Sequence, residues 1–139
     1  MRAVLDTGIY VSFLINPKGA PSQAVGLWLD KAFELVTSEW QLGELRRVSR
    51  YKHIQPIITT HEAGTVINKL KRRATVIENL PDVDLSPDPD DNPIIATAIA
   101  GQVQYIVSDD KRDMLELQKV EGIPIVTARE FVDLFVKSG

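Results

Sequence analysis

Residues 2–8, Arg2-Ala3-Val4-Leu5-Asp6-Thr7-Gly8, set a short apolar run directly against an acid and a turn. A continuous run of this length, with no polar alternation, reads as a strand buried on both faces. Residues 104–110 repeat the arrangement: Gln104-Tyr105-Ile106-Val107-Ser108 reads as a strand, and Asp109-Asp110 follows. Residues 33–36, 74–77 and 123–127 read as further short strands. Helical patterns fall between them. Residues 9–14 suit a short helix, and a longer one starts at Pro21 or Ser22 and carries Val25, Leu27, Trp28 and Ala32. Thr37-Ser38-Glu39 leads into a helix ending near Tyr51, and Thr59 or Thr60 caps another that reaches Arg73. A helix opened by Pro93 runs to about Gly101, residues 113–120 read as mostly helical, and residues 130–136 form the last helix. Strands alternate with helices and no hairpin signals join them. That order predicts βαβ units, with a parallel sheet of four to five strands and helices on both faces.

The 139 residues are 44% hydrophobic and 25% charged, as expected for one globular domain spanning residues 1–139. There is no cysteine, which removes disulfides, thiol nucleophiles and Cys-based zinc sites and fits a reducing compartment. The apolar run before Asp6 is too short for a signal peptide or a membrane span, so a soluble cytoplasmic protein with no membrane partner is expected. The net charge of −3 weighs against a nucleic-acid partner. Basic residues nevertheless cluster at Arg46, Arg47, Arg50, Lys52 and His53, and again at Lys69, Lys71, Arg72 and Arg73. Two solvated helix faces account for these clusters as well as a binding surface does, so charge is permissive only.

The acids are more informative. Open parallel sheets bind ligands at the carboxyl ends of their strands, near a switch point. Asp6 and Asp110 each follow a strand there. On a helical wheel, Glu44 falls in the arc of Trp40, Leu45, Val48 and Tyr51, with Glu39, Arg46, Arg47 and Arg50 opposite. A carboxylate facing a core is costly unless an Arg pairs with it or a cation binds it. Residues 81–91 form a loop with three prolines and five aspartates, and its last acid, Asp91, projects to the apolar side of the helix after it. A helix cap accounts for Asp91 equally well, unless Asn92 is the cap. His53 and His61 lack metal-binding spacing, no Ser-His-Asp motif is supported, and no Gly-rich phosphate loop occurs. An oxygen-only site for Mg²⁺ or Mn²⁺ remains.

Taken together, Asp6-Thr7 after the first strand, Glu44 in a helix, Asp91 opening an Ala-rich helix and Val107-Ser108-Asp109-Asp110 resemble a PIN domain over essentially the whole chain. Ser38-Glu39, Glu44-Leu45, the run 88–92, and Ile125-Val126-Thr127 with Glu130-Phe131 resemble in particular the PIN branch of toxins from toxin–antitoxin pairs. The resemblance implies a three-layer α/β/α sandwich and one or two Mg²⁺ or Mn²⁺ ions on Asp6, Glu44, Asp91 and Asp110. Ser108, Thr7 and Asp113 are secondary candidates for the same cluster. It further implies endonucleolytic hydrolysis of RNA to 5′-phosphate and 3′-hydroxyl ends, a cognate antitoxin, and a homodimer or higher oligomer. Arg46, Arg50 and Lys111 would contact the RNA backbone. Trp28 and Trp40 read as core or interface residues. One departure stands out: the family usually places Asn where this chain has Gly8, and that Asn helps orient the acids. Gly8 therefore also supports a second expectation, a catalytically weak or inactive PIN-fold module that binds RNA or protein. A phosphoacceptor regulator ranks last, because Thr127 is followed by Ala128 and Arg129 rather than by Lys.

Overall fold

The computed structural model describes residues 1–110 and 112–137. β1 (Arg2–Leu5) lies in mid-sheet, where an apolar run with no polar face can be covered on both sides. β2 (Glu34–Ser38) pairs with it in parallel, Val4 opposite Val36. β4 (Tyr105–Val107) pairs in parallel on the other side, Val4 opposite Ile106. β3 (Thr75–Ile77) adds to β2, and β6 (Ile123–Val126) adds to β4. The chain therefore builds outward from β1 in one direction and then returns to continue on its other flank. This places a switch point between β1 and β4, and their carboxyl ends border the crevice where such sheets bind ligands.

Side chains alternate across the sheet as the pleat requires. Ala3, Leu5, Leu35 and Val107 point into one core with Ile9, Trp28 and Phe131. Val4, Val36 and Ile106 point into the other with Ile94, Ile95 and Met114. The first core belongs chiefly to α1 (Thr7–Ile15), α2 (Ala20–Leu29), α3 (Glu39–Ser49), α4 (Thr60–Arg73) and α7 (Ala128–Lys137). The second belongs to α5 (Asn92–Ala100) and α6 (Met114–Leu117). The result is a three-layer α/β/α arrangement, as expected. Leu5 is fully buried, and truncating such a residue to Ala costs about 2–5 kcal/mol.

Four local expectations are corrected. The sheet has six strands rather than four to five, and the sixth, β5 (Lys119–Val120), runs antiparallel to β6. Residues 113–120 are correspondingly less helical than expected. α6 stops at Leu117, Gln118 takes φ 61°, and Glu121 and Gly122 take φ 49° and 78°. Two successive positive φ values make the tight two-residue turn that closes a hairpin. A Glu at its first position hides the usual Asn-Gly signature. α3 ends at Ser49, and Tyr51 is 48% exposed rather than packed. The buried face of α3 is Gln41, Leu42, Leu45 and Ser49, rotated from the arc that the apolar residues alone suggest. α2 starts at Ala20, so that Pro21 lies in its first turn, where a missing N–H costs nothing.

Candidate active site at the carboxyl ends of β1 and β4

Asp6 is the N-cap of α1 and accepts a hydrogen bond from the Thr7 N–H at 2.8 Å. Its other carboxylate oxygen accepts from the Ser108 hydroxyl at 2.9 Å, which ties the end of β1 to the end of β4. Ser108 is fully buried, and its Oγ also accepts from the Asp110 N–H at 3.1 Å. The two neighbouring acids then part company. Asp109 accepts from the Ala128 N–H at 3.0 Å and caps α7. Asp110 holds the Arg112 N–H at 3.1 Å and is close enough to Asp6 to raise its pKa.

Glu44 is only partly buried, and it reaches this cluster from α3. It accepts a hydrogen bond from the Thr7 hydroxyl. Arg47 lies 3.9 Å away on the next turn, with its guanidinium 6.0 Å from the Trp40 ring. The alternative of an arginine partner for Glu44 is thus present in a loose, half-exposed form, alongside the bond to Thr7. A buried polar network that the apolar pattern did not reveal holds Thr7 in place. Gln41 donates to the Leu5 carbonyl at 2.7 Å and to Thr7 Oγ1 at 3.4 Å, and its carbonyl accepts from Thr37. Ser38 caps α3 through the Gln41 N–H at 3.2 Å, and Thr97 Oγ1 lies 2.9 Å from Ser38 Oγ. Thr37, Ser38, Gln41 and Thr97 are all fully buried. The available signal was a cluster of polar residues immediately after an apolar strand.

Asp91 ends a single 3₁₀ turn, Pro89–Asp91, and precedes α5. Its side chain makes no cap hydrogen bond, so the helix-cap reading fails. Asn92 is not the cap either: its carbonyl accepts from the Leu85 and Ser86 N–H groups at 3.0 and 2.9 Å and ties down the acidic loop. Asp91 is buried and accepts from the Ser86 hydroxyl at 3.2 Å. With Asp88 and Asp113 it places one carboxylate oxygen each within 4.8 Å of one another, an arrangement able to hold a cation. In the sequence nothing sets Asp88 apart from Asp82, Asp84 and Asp90 in the same loop. Arg46 lies exposed on α3 and Arg50 just past its end, both on the side toward α4. Lys111 lies outside the described residues.

Electrostatics link the acids into one system. Burial pushes Asp6 above the usual carboxylate range, and Asp110 and Asp109 add to this against the lowering bonds from Ser108 and Thr7. Glu44 is raised by burial and by Asp6, against lowering by Thr7 and Arg47. Asp91 is pushed up to about 7 by burial, by Asp6, Asp88 and Asp110, with only Ser86 opposing. Crowded carboxylates of this kind resist ionisation together unless a cation compensates them. The donor set contains only oxygen, which suits Mg²⁺ or Mn²⁺ rather than zinc.

A doubly covered, mainly parallel sheet with acids gathered at its switch point defines the class. The sequence profile of the PIN domain matches residues 2–112, and the chain belongs to that family. It is 23% identical to an uncharacterised protein of Methanocaldococcus jannaschii, over 99% of this chain and 93% of that protein. It also resembles, with a TM-score of 0.62 and 16% identity, a chain of the VapBC2 complex from Rickettsia felis, solved bound to a DNA fragment from its promoter. That match covers 91% of this chain and 98% of the other, and at this identity it speaks for the fold. Among the described residues no helix is long and apolar enough to cross a membrane.

Proposed function

We infer that this chain is a divalent-metal-dependent endoribonuclease and the toxin member of a toxin–antitoxin pair. What supports the reading is the gathering of acids at the carboxyl ends of β1 and β4, where Asp6 and Asp110 lie near enough to raise the pKa of Asp91, Thr7 links Glu44 to α1, and Asp88 and Asp113 stand beside Asp91. Membership of the PIN family and the fold shared with a chain of VapBC2 support the toxin assignment. Asp6, Asp91 and Asp110 would hold Mg²⁺ or Mn²⁺, with Glu44 holding a coordinated water or a second ion. When bound, such an ion offsets charge building on the scissile phosphate and lowers the pKa of water.

The chain's own residues set the geometry of this step. Ser108 and the Thr7 N–H occupy one lone pair on each Asp6 oxygen, which fixes the plane of the carboxylate. Thr7, itself held by Gln41, turns Glu44 toward Asp6. Asp91 must lose its proton to serve as a ligand, so metal affinity should rise as pH passes about 7.

The test is cleavage of several RNAs by purified protein with Mn²⁺. Wild type should cut, leaving 5′-phosphate ends, and Asp6→Asn should reduce the rate by at least a hundredfold at unchanged fold. Equal inertness of both proteins, together with no Mn²⁺ binding in calorimetry at millimolar concentration, would instead favour a non-catalytic module. Co-purification with the product of an adjacent small gene would test the antitoxin partner, and sedimentation the expected homodimer.

A further inference from the structure

The end of α3 and the residue that follows it carry three arginines in five residues, and the fold sends them to different places. Arg47 turns back toward Glu44 and lies over Trp40. Arg46 and Arg50 instead line a groove of about 180 Å³ between α3 and α4, with Ser49 beside them and Thr60, Gly64 and Asn68 facing them. Among the described residues neither guanidinium has a carboxylate partner, and no acid lines the groove. The acids of the two helices lie elsewhere: Glu44 bonds Thr7, Glu62 bonds the Thr59 cap, and Glu39 sits in the first turn of α3, away from the residues that line the groove. Arginine forks left unpaired over hydroxyl and amide groups match the needs of a phosphate.

Two further features suit a polynucleotide. Gly64 sits inside α4, where glycine weakens a helix, yet a Cβ there would meet nothing within 4 Å. Packing within the chain does not require glycine there, and the missing side chain leaves that wall of the groove open. Just past Arg50, the exposed Tyr51 ring stacks on His53 at 5.8 Å and 29°, a platform open to solvent. Basic groups beside stacked aromatic rings are the recurring equipment for single-stranded nucleic acid.

We propose that the α3–α4 groove seats a phosphate of single-stranded RNA flanking the cut, with Arg46 and Arg50 as its ligands and the adjoining base stacked on Tyr51. This rests on the nuclease reading of the acidic site. From Glu44 to Arg50 the helix axis advances about 9 Å, a span that a few nucleotides cover.

Binding of a labelled 12-nucleotide RNA, followed by fluorescence anisotropy in EDTA, reads the groove without cleavage. Arg46→Ala/Arg50→Ala should weaken binding about tenfold and flatten the log–log salt dependence by about 0.7 per arginine. Tyr51→Ala should weaken it at least fivefold with an unchanged salt slope. Gly64→Gln, which favours the helix while filling the groove, should lose RNA affinity with an equal or higher melting temperature. Wild-type affinity and slope in all three variants would overturn the proposal, as would failure of wild type to bind RNA. Loss of polyglutamate binding with RNA affinity retained would assign the groove to an acidic protein partner and overturn it equally. Cleavage with Mn²⁺ tests the acidic site separately: an inert protein whose variants still lose RNA would keep the groove and sink the nuclease.

Discussion

Gly8 sits at the second position of α1, beside the residue that anchors Glu44. It is exposed, and a Cβ there would meet nothing within 4 Å, so no packing demand requires glycine. The Cβ of the Asn expected from the family would displace no neighbour there. Gly8→Asn should tighten Mn²⁺ binding about 10- to 100-fold, the range typical of restoring a hydrogen bond behind a metal ligand. Calorimetry reads this directly, and unchanged affinity would mean that Thr7 and Gln41 already supply the orientation. Tyr10 gives a residue-scale test of stability. Its ring is fully buried on α1, and its hydroxyl has no hydrogen-bond partner among the described residues. Burial of that unpaired hydroxyl also holds it neutral far above the usual range. An unpaired buried hydroxyl carries a desolvation cost of about 1–3 kcal/mol, so Tyr10→Phe should raise the urea midpoint rather than lower it.

At the scale of elements, two devices lock helices into place around the sheet. α4 starts with a reciprocal cap, in which Thr59 accepts from the Glu62 N–H at 3.0 Å and Glu62 accepts from the Thr59 N–H at 3.1 Å. Thr127 and Glu130 repeat the arrangement at α7, at 3.0 Å in both directions. This gives a structural reason for the Thr127…Glu130 spacing noted in the sequence. Thr59→Ala should cost about 1 kcal/mol, read from denaturant unfolding, without touching the acidic site. The second device is Gly101, which ends α5 where it crosses β2. A Cβ there would meet Val36 Cγ1 at 2.6 Å. Gly101→Ala should therefore destabilise by about 1–3 kcal/mol through overpacking. Because α5 leads from Asp91 and β2 leads to Ser38, that shift should also weaken metal binding.

For the whole molecule, the crowded acids predict a pH dependence of stability. The folded-state pKa of Asp91, about 7, lies above its ordinary 3.8. Between these values the folded chain binds a proton that the unfolded chain has lost. This contribution favours folding fully below about pH 4 and is lost as pH rises through about 7. Asp6 and Glu44 are shifted in the same direction. In EDTA, the melting temperature of wild type should fall more between pH 5 and pH 8 than that of Asp91→Asn. Millimolar Mn²⁺ should restore wild type at pH 8 and have little effect on the variant. Parallel curves for the two proteins would show that Asp91 is not the group responsible.

The sequence by itself determined the buried strands, because a continuous apolar run followed by an acid has few other stable homes than the interior of a parallel sheet. It determined the placement of Asp6 and Asp110 at strand ends for the same reason, and the alternation of elements then set three layers. It could not show the β5–β6 hairpin, since the turn uses Glu121 where composition leads one to look for Asn. It could not separate Asp109 from Asp110, which differ only in which neighbour they meet: the α7 terminus or the crevice. Periodicity put Glu44 on an apolar face, yet the true face of α3 is set by Gln41, a polar residue that tertiary partners on β1 and α1 satisfy. Whether Asp91 caps its helix or joins Asp88 and Asp113 likewise depended on where the proline-rich loop folds back. Local propensity fixes short-range geometry, but convergence of charges from β1, α3, the 81–91 loop and β4 is a non-local property, and only the packed sheet decides it.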